Sequence, residues 1–223
     1  MLLCYITDRH SFPGGEKQQR RQLLLRIAAA ASAGVDYIQL REKDLAIAEL
    51  ELLTRNAVAA VRSNSACTRL LINGRTDVAL ACDADGVHLP ANELTASEVR
   101  AIWMRVAARP PIIGVSAHSI DQVRYAEAHG ADFALLAPIF EKPNTDIRGL
   151  GPALLSVACR GAQPPDNTES APTGSFPVLA LGGVDLSNAL ACLRAGASGV
   201  AGIRLFQEGE IRDRVRALRG MDA

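Results

Sequence analysis

Eight short apolar runs recur along the chain, at 2–7, 35–40, 69–73, 86–89, 112–115, 132–137, 177–181 and 199–203. Segments of helical spacing separate them. Ile47, Leu50, Leu53, Ala57 and Val61 repeat every three or four residues, as do Leu186, Ala189, Leu190 and Leu193, with Gly196 as a C-terminal stop. Ile211, Val215 and Leu218 mark a last helix. Strand followed by helix, eight times in 223 residues, predicts an α/β fold in which residues 1–223 form a single (β/α)8 (TIM) barrel domain. A doubly wound open sheet is the alternative. Composition agrees. Hydrophobic residues make up 48% and aromatics 4%, so the core is built from Ala, Val, Ile and Leu, which suits buried parallel strands under Ala-rich helices.

One stretch breaks the rhythm. Residues 161–176 are rich in Pro, Ser, Thr and Gly and are expected to form a mobile loop between the sixth helix and the seventh strand. Such a loop follows a helix, so it belongs to the barrel face away from chemistry. The 24 basic and 24 acidic residues cancel, which argues against nucleic acid or an anionic membrane surface as partner. Five widely spaced cysteines without a CxxC pair argue against a disulfide framework or zinc site and for a reducing, cytoplasmic setting. The start, Met1 to Asp8, lacks the basic and apolar regions of a signal peptide, and no run approaches membrane-spanning length.

Barrels of this kind place chemistry at strand C-termini. Read at those positions, the chain is most informative at Gln39-Leu40-Arg41-Glu42-Lys43. With period-two alternation, Gln39, Arg41 and Lys43 share one face. Two converging cations fit an anion such as diphosphate, whereas surface ion pairing is the bland reading. The other strand ends supply Thr7-Asp8, Asn73-Gly74-Arg75, His88-Leu89-Pro90 with Glu93 beyond, Ser116-Ala117-His118, Pro138 to Lys142, Gly182-Gly183, and Ile203-Arg204. Gly182-Gly183 before a helix, with Arg204 at the next strand end, reads as a phosphate site; a tight turn is the plain alternative. His88 reads as a packed or hydrogen-bonded side chain, and His118 as a cap or supporting group near a helix start.

These segments, in this order, resemble the thiamine-phosphate synthase/TenI family: Tyr5-Ile6-Thr7-Asp8, Ile38 to Lys43, Leu71 to Arg75, Ala84 to Leu89, Gly114-Val115-Ser116-Ala117-His118, Gly130-Ala131-Asp132, Pro138-Ile139-Phe140 and Leu181-Gly182-Gly183. The resemblance covers nearly the whole chain. It implies a thiamine biosynthesis transferase that joins an aminopyrimidine diphosphate to a thiazole phosphate. Diphosphate leaves with the help of Mg2+, and the thiazole nitrogen captures a pyrimidine methyl cation. It implies small-molecule phosphate substrates and a homo-oligomer. By resemblance, Gln39, Arg41, Lys43 and Asn73 bind the pyrimidine diphosphate, and Ser116 lies near it; Arg75 is a further candidate for binding substrate. Gly182, Gly183, Ile203 and Arg204 surround the thiazole phosphate. Lys43, Ser116 and Glu141 are the candidate catalytic residues.

The departures from the family pattern matter as much. The magnesium-binding aspartate expected after Asn73 is Gly74, which leaves Glu93 as the remaining metal carboxylate. The loop after the sixth strand reads Glu141-Lys142-Pro143-Asn144-Thr145 where the synthase has two threonines and a lysine, so Lys142 becomes a substitute cation. Gly74 and Pro90 resemble the TenI branch, whose tautomerase histidine is here Pro138; Glu141 or His118 would then move the proton. Three readings stay open: a synthase, a TenI-like thiazole phosphate tautomerase, and a non-catalytic binder or regulator.

Overall fold

The computed structural model describes residues 1–91, 93–141, 148–160 and 176–221. Its strands are β1 (Leu2–Ile6), β2 (Tyr37–Leu40), β3 (Arg69–Asn73), β4 (Gly86–Leu89), β5 (Ile112–Ala117), β6 (Phe133–Leu136), β7 (Val178–Ala180) and β8 (Gly199–Gly202). Each falls inside or overlaps one of the apolar runs. The intervening helices are α1 (Glu16–Ser32), α2 (Ile47–Asn64), α3 (Thr76–Ala81), α4 (Ala96–Trp103), α5 (Ile120–Ala128), α6 (Gly151–Cys159) and α7 (Ala189–Arg194). The short α8 (Arg204–Gln207) and α9 (Ile211–Arg219) follow the last strand. All strands are parallel and pair in chain order. Pairing of β8 with β1, Leu2 opposite Gly199 and Cys4 opposite Ala201, closes the barrel and removes the open-sheet alternative.

The turns that enter the strands carry a repeated device. Asp36, Asp85 and Asp132 each precede an even-numbered strand. Each carboxylate accepts a backbone N–H from the preceding odd strand: Leu3 at 2.7 Å, Leu70 at 2.9 Å and Ile113 at 2.7 Å. A strand start is thereby pinned to its neighbour, which fixes register. Gly34, Gly130 and Gly196 end the helices before these turns at φ between +79° and +95°, where a side chain is disfavoured.

Alternation along the strands divides the core. Outward residues such as Leu3, Tyr5, Ile38, Leu40, Leu70 and Ile72 pack against the helices, including Leu50, Leu53, Ala57 and Val61 of α2. Ile47 belongs to the same periodic pattern but stays 57% exposed at the first turn of that helix. Inward residues Cys4, Ile6, Leu71, Phe133, Leu135, Leu179 and Ala201 fill the barrel. Tyr37 stacks on Phe133 within it, ring centroids 4.8 Å apart. No described helix is long and apolar enough to cross a membrane. Lys142 and the Pro/Ser/Thr/Gly-rich stretch at 161–176, apart from Phe176, lie outside the described residues.

The loop after β2 is anchored by a buried ion pair. Glu42 accepts from the Thr7 hydroxyl at 2.6 Å, from the Arg9 backbone N–H at 3.2 Å and from Arg9 Nη1 at 3.0 Å. The side chains of Arg9 and Glu42 are 3% and 1% exposed. Arg9 also donates to Glu16 and Asp44, and the Asp44 contact, foremost, raises the guanidinium pKa. Thr7 Oγ1 in turn accepts the Arg41 backbone N–H at 2.9 Å. Removing one member of such a pair leaves a buried charge without its partner, at a cost of about 3–5 kcal/mol. Chemical denaturation of Arg9→Met is expected to show a loss of that size, part of which a second change, Glu42→Gln, restores. Stability equal to that of the parent would show that the pair does not hold the loop.

Candidate active site

The C-terminal ends of the strands open into a cavity of about 850 Å³. That volume suits a small-molecule site. The inward register of the strands carries into its walls. Ile6, Gln39, Asn73, His88, Ser116, Leu135, Leu181, Ala201 and Ile203 all line it, each at an inward position near or just beyond the C-terminal end of its strand. Its floor and one wall are thus apolar, and its strand-borne polar groups come from β2, β3, β4 and β5.

Gln39 is buried, and its Nε2 donates to Asn73 Oδ1 at 2.8 Å. Its Oε1 is also buried and has no partner among the described residues, which leaves an acceptor unused. β2 ends at Leu40, so Arg41 and Lys43 are not strand residues. They nevertheless line the cavity, because Glu42 between them turns the other way into its pair with Arg9. Arg204, which opens α8, lines the opposite side of β1. The Asp8 backbone N–H donates to Gln207 Oε1 at 2.9 Å, and Gln207 Nε2 donates to the Asp8 carbonyl at 2.8 Å, which fixes α8 against the end of β1. No carboxylate among the described residues pairs with Arg41, Lys43 or Arg204. Asp8, the acidic lining residue, is itself engaged by the His10 N–H and the Ser11 hydroxyl.

The glycine pair has a packing role that its sequence does not reveal. Gly182 and Gly183 take φ of +90° and +68°, and a Cβ on Gly182 would stand 2.7 Å from Pro138 Cα. The segment after β6 is thereby held against them, with the Phe140 N–H donating to the Gly182 carbonyl at 2.9 Å. Both glycines line the cavity, but α7 begins only at Ala189, after a turn in which Asp185 accepts from Ser187 and Asn188. The pair therefore does not sit on a helix N-terminus.

Two histidines border the cavity. His88 is buried, and its Nε2 lies 2.9 Å from Ser116 Oγ. Burial, helped by the charge of Arg41, lowers its pKa to about 3, so the imidazole is neutral at pH 7. His118 is exposed; its Nδ1 meets the Ala137 carbonyl at 2.8 Å and its backbone N–H is capped by Gln122. The bonded His88 matches its reading in the sequence, but its place on the cavity wall was missed. The available signal was register, since His88 lies opposite Asn73 at a strand end.

Other predicted site residues are not brought together there. Arg75 pairs with Asp77, Nη2 to Oδ2 2.5 Å, and does not line the cavity. Glu141 is exposed and also off the wall. Glu93 is exposed and faces Gly74, where a Cβ would stand 3.6 Å from Glu93 Oε2. No group of three His, Cys, Asp or Glu side chains able to hold a metal occurs among the described residues. A lone exposed carboxylate opposite a glycine does not fit a magnesium ion held by the protein.

Residues 3–206 match the family model described as thiamine monophosphate synthase. The thiamine-phosphate synthase of Roseiflexus sp. (strain RS-1) is 36% identical over 200 residues, covering 90% of this chain and 75% of that protein. The thiamine-phosphate synthase of Methanoculleus marisnigri is 36% identical over 195 residues, covering 85% and 83%. The solved structure of a thiamine phosphate pyrophosphorylase from Pyrococcus furiosus superposes with a TM-score of 0.76 at 27% identity, covering 99% of this chain and 94% of that one. By this match along the barrel, the chain belongs to the thiamine-phosphate synthase/TenI family of thiamine biosynthesis.

Proposed function

We propose that this protein is a thiamine-phosphate synthase that joins an aminopyrimidine diphosphate to a thiazole phosphate and releases diphosphate. The observation that carries the reading is the set of cavity cations without carboxylate partners among the described residues. Arg41 and Lys43 stand on the β2 side of β1, and Arg204 stands beside Gly182 and Gly183 on the β7–β8 side. Two separated cationic poles suit two phosphorylated substrates in one cavity.

In this reading the pyrimidine methylene–oxygen bond breaks and the electron pair leaves with the diphosphate. Arg41 and Lys43 take up the charge that develops on the departing oxygens. The thiazole nitrogen donates its lone pair to the methylene cation. Ile6, Leu135, Leu181, Ala201 and Ile203 shield that cation from water. Gln39 Oε1, which has no partner among the described residues, accepts from the pyrimidine amine, and Asn73 orients Gln39. No group of described side chains forms a metal site, so in this reading magnesium would come only as a companion of the diphosphate. Proton transfer on a thiazole phosphate, the tautomerase reading, has His118 as its candidate group, with one ring nitrogen already committed to Ala137.

Incubation with both substrates and magnesium is expected to yield thiamine phosphate, detected by mass. Binding of both ligands with no product would sink the synthase reading and make proton exchange on the thiazole the next assay. Arg41→Ala is expected to weaken aminopyrimidine diphosphate binding by about 1.5–3 kcal/mol, the worth of a charge-assisted contact, and to leave thiazole phosphate binding unchanged. Arg204→Ser is expected to do the reverse. Calorimetry with each ligand checks both, and equal losses for both ligands in either variant would contradict two separate poles.

A further inference from the structure

We propose that His88 is a positioning residue whose Nε2–H tautomer turns the Ser116 hydroxyl into a hydrogen-bond donor toward the diphosphate end of the cavity. The inference rests on the synthase reading above for the identity of the anion. It rests on the structure for the direction of the hydrogen bond.

The imidazole has one polar neighbour and one empty side. Nε2 meets Ser116 Oγ at 2.9 Å, whereas Nδ1 is buried with no partner among the described residues. What surrounds Nδ1 is apolar. Gly114 is so close that a Cβ there would stand 2.7 Å from the nitrogen, and the Phe133 ring lies tilted with its centroid 6.2 Å from that of the imidazole. A proton can sit on either ring nitrogen of a neutral imidazole, and the partners decide which. Buried N–H groups without an acceptor are rarer than buried acceptors without a donor. The proton therefore belongs on Nε2, from which it is donated to Ser116 Oγ. That bond uses an oxygen lone pair and leaves the Ser116 O–H free to point into the cavity.

A donor is what this wall needs. Arg41, His88 and Ser116 line the same cavity. An anion held by Arg41 gains from a hydroxyl that donates and is repelled by one that presents lone pairs. The opposite tautomer would turn Ser116 into an acceptor and set its oxygen against the phosphate oxygens. Gly114 belongs to the device as well, because only a residue without a side chain leaves room for the ring in this orientation.

The tautomer is read on the free wild-type protein by a long-range ¹⁵N–¹H correlation spectrum of the histidine rings. A neutral His88 with its proton on Nε2 at pH 7 is the expected result, and a proton on Nδ1 or an imidazolium overturns the inference. The consequence is read by calorimetry with inorganic pyrophosphate as the probe. Ser116→Ala and His88→Phe are each expected to weaken binding about tenfold, in line with loss of a donor to a charged acceptor. The double variant should lose no more than Ser116→Ala alone, because His88 acts only through the Ser116 hydroxyl. His88→Gln, which keeps an N–H within reach of Ser116, should stay within about twofold of wild type, since its donor survives. A multiplicative, roughly hundredfold loss in the double variant would show two independent contacts and overturn the coupling. A wild-type protein that does not bind pyrophosphate would remove the diphosphate reading and this role of Ser116 together. The wrong tautomer in a protein that does bind it would remove the His88 inference alone.

Discussion

A buried carboxylate organises the mouth of this barrel. Glu42 lies between Arg41 and Lys43 and faces away from the cavity, into Thr7 and Arg9. Burying a carboxylate is unfavourable unless it is paired and hydrogen-bonded, and here the hydroxyl, the backbone N–H and the guanidinium together do both. Because Glu42 cannot leave that pocket, its neighbours keep the alternation of a strand beyond the point where β2 stops. Two cations are thus carried to the cavity wall by a residue that never touches it. Thr7 ties the same loop to the end of β1, and Gln207 ties α8 to Asp8 just beyond, so the cationic segments on both sides of β1 are referenced to one strand.

The inward register does the rest. The residues that fill the barrel, from Cys4 and Leu71 to Phe133 and Leu179, pass upward without a break into Gln39, Asn73, His88 and Ser116. Core and site are the same rows of side chains, apolar below and polar above. The aspartates before β2, β4 and β6 hold those rows in step, since a slip of one residue would turn every polar group outward. The small residues follow the same logic. Gly114 makes room for the His88 ring, and Gly182 lets the chain after β6 approach β7 closely.

Much of this was legible in the sequence. Apolar runs separated by helical spacing gave all eight strands, because parallel barrel strands are buried on both faces and read as continuous hydrophobic segments. Period two puts Gln39, Arg41 and Lys43 on one face and all three line the cavity, although β2 ends at Leu40 and the buried Glu42 carries the alternation beyond it. What local pattern could not give are the partners of long-range contacts. Nothing near Glu42 announces Arg9, thirty-three positions away in the chain. Arg75 looked like a site cation because it follows Asn73, but Asp77, two residues on, holds it beside the first turn of α3. Glu141 was placed at a strand end, yet the segment after β6 turns toward Gly182 and leaves its side chain exposed. The glycine pair reads as a helix-start anion site; it lines the cavity, but α7 starts only at Ala189 and the pair also serves a close approach to Pro138.

In the proposed reading the cavity holds two anions on opposite sides of β1, the diphosphate at Arg41 and Lys43 and the monophosphate at Gly182, Gly183 and Arg204. A crystal structure with the aminopyrimidine diphosphate and the thiazole phosphate both bound tests it most directly. Diphosphate oxygens are expected within hydrogen-bonding distance of Arg41 and Lys43, with the Gln39 carbonyl on the pyrimidine amine and the thiazole phosphate against Arg204. A diphosphate seated at Arg204, or Arg41 turned away from both ligands, would contradict it.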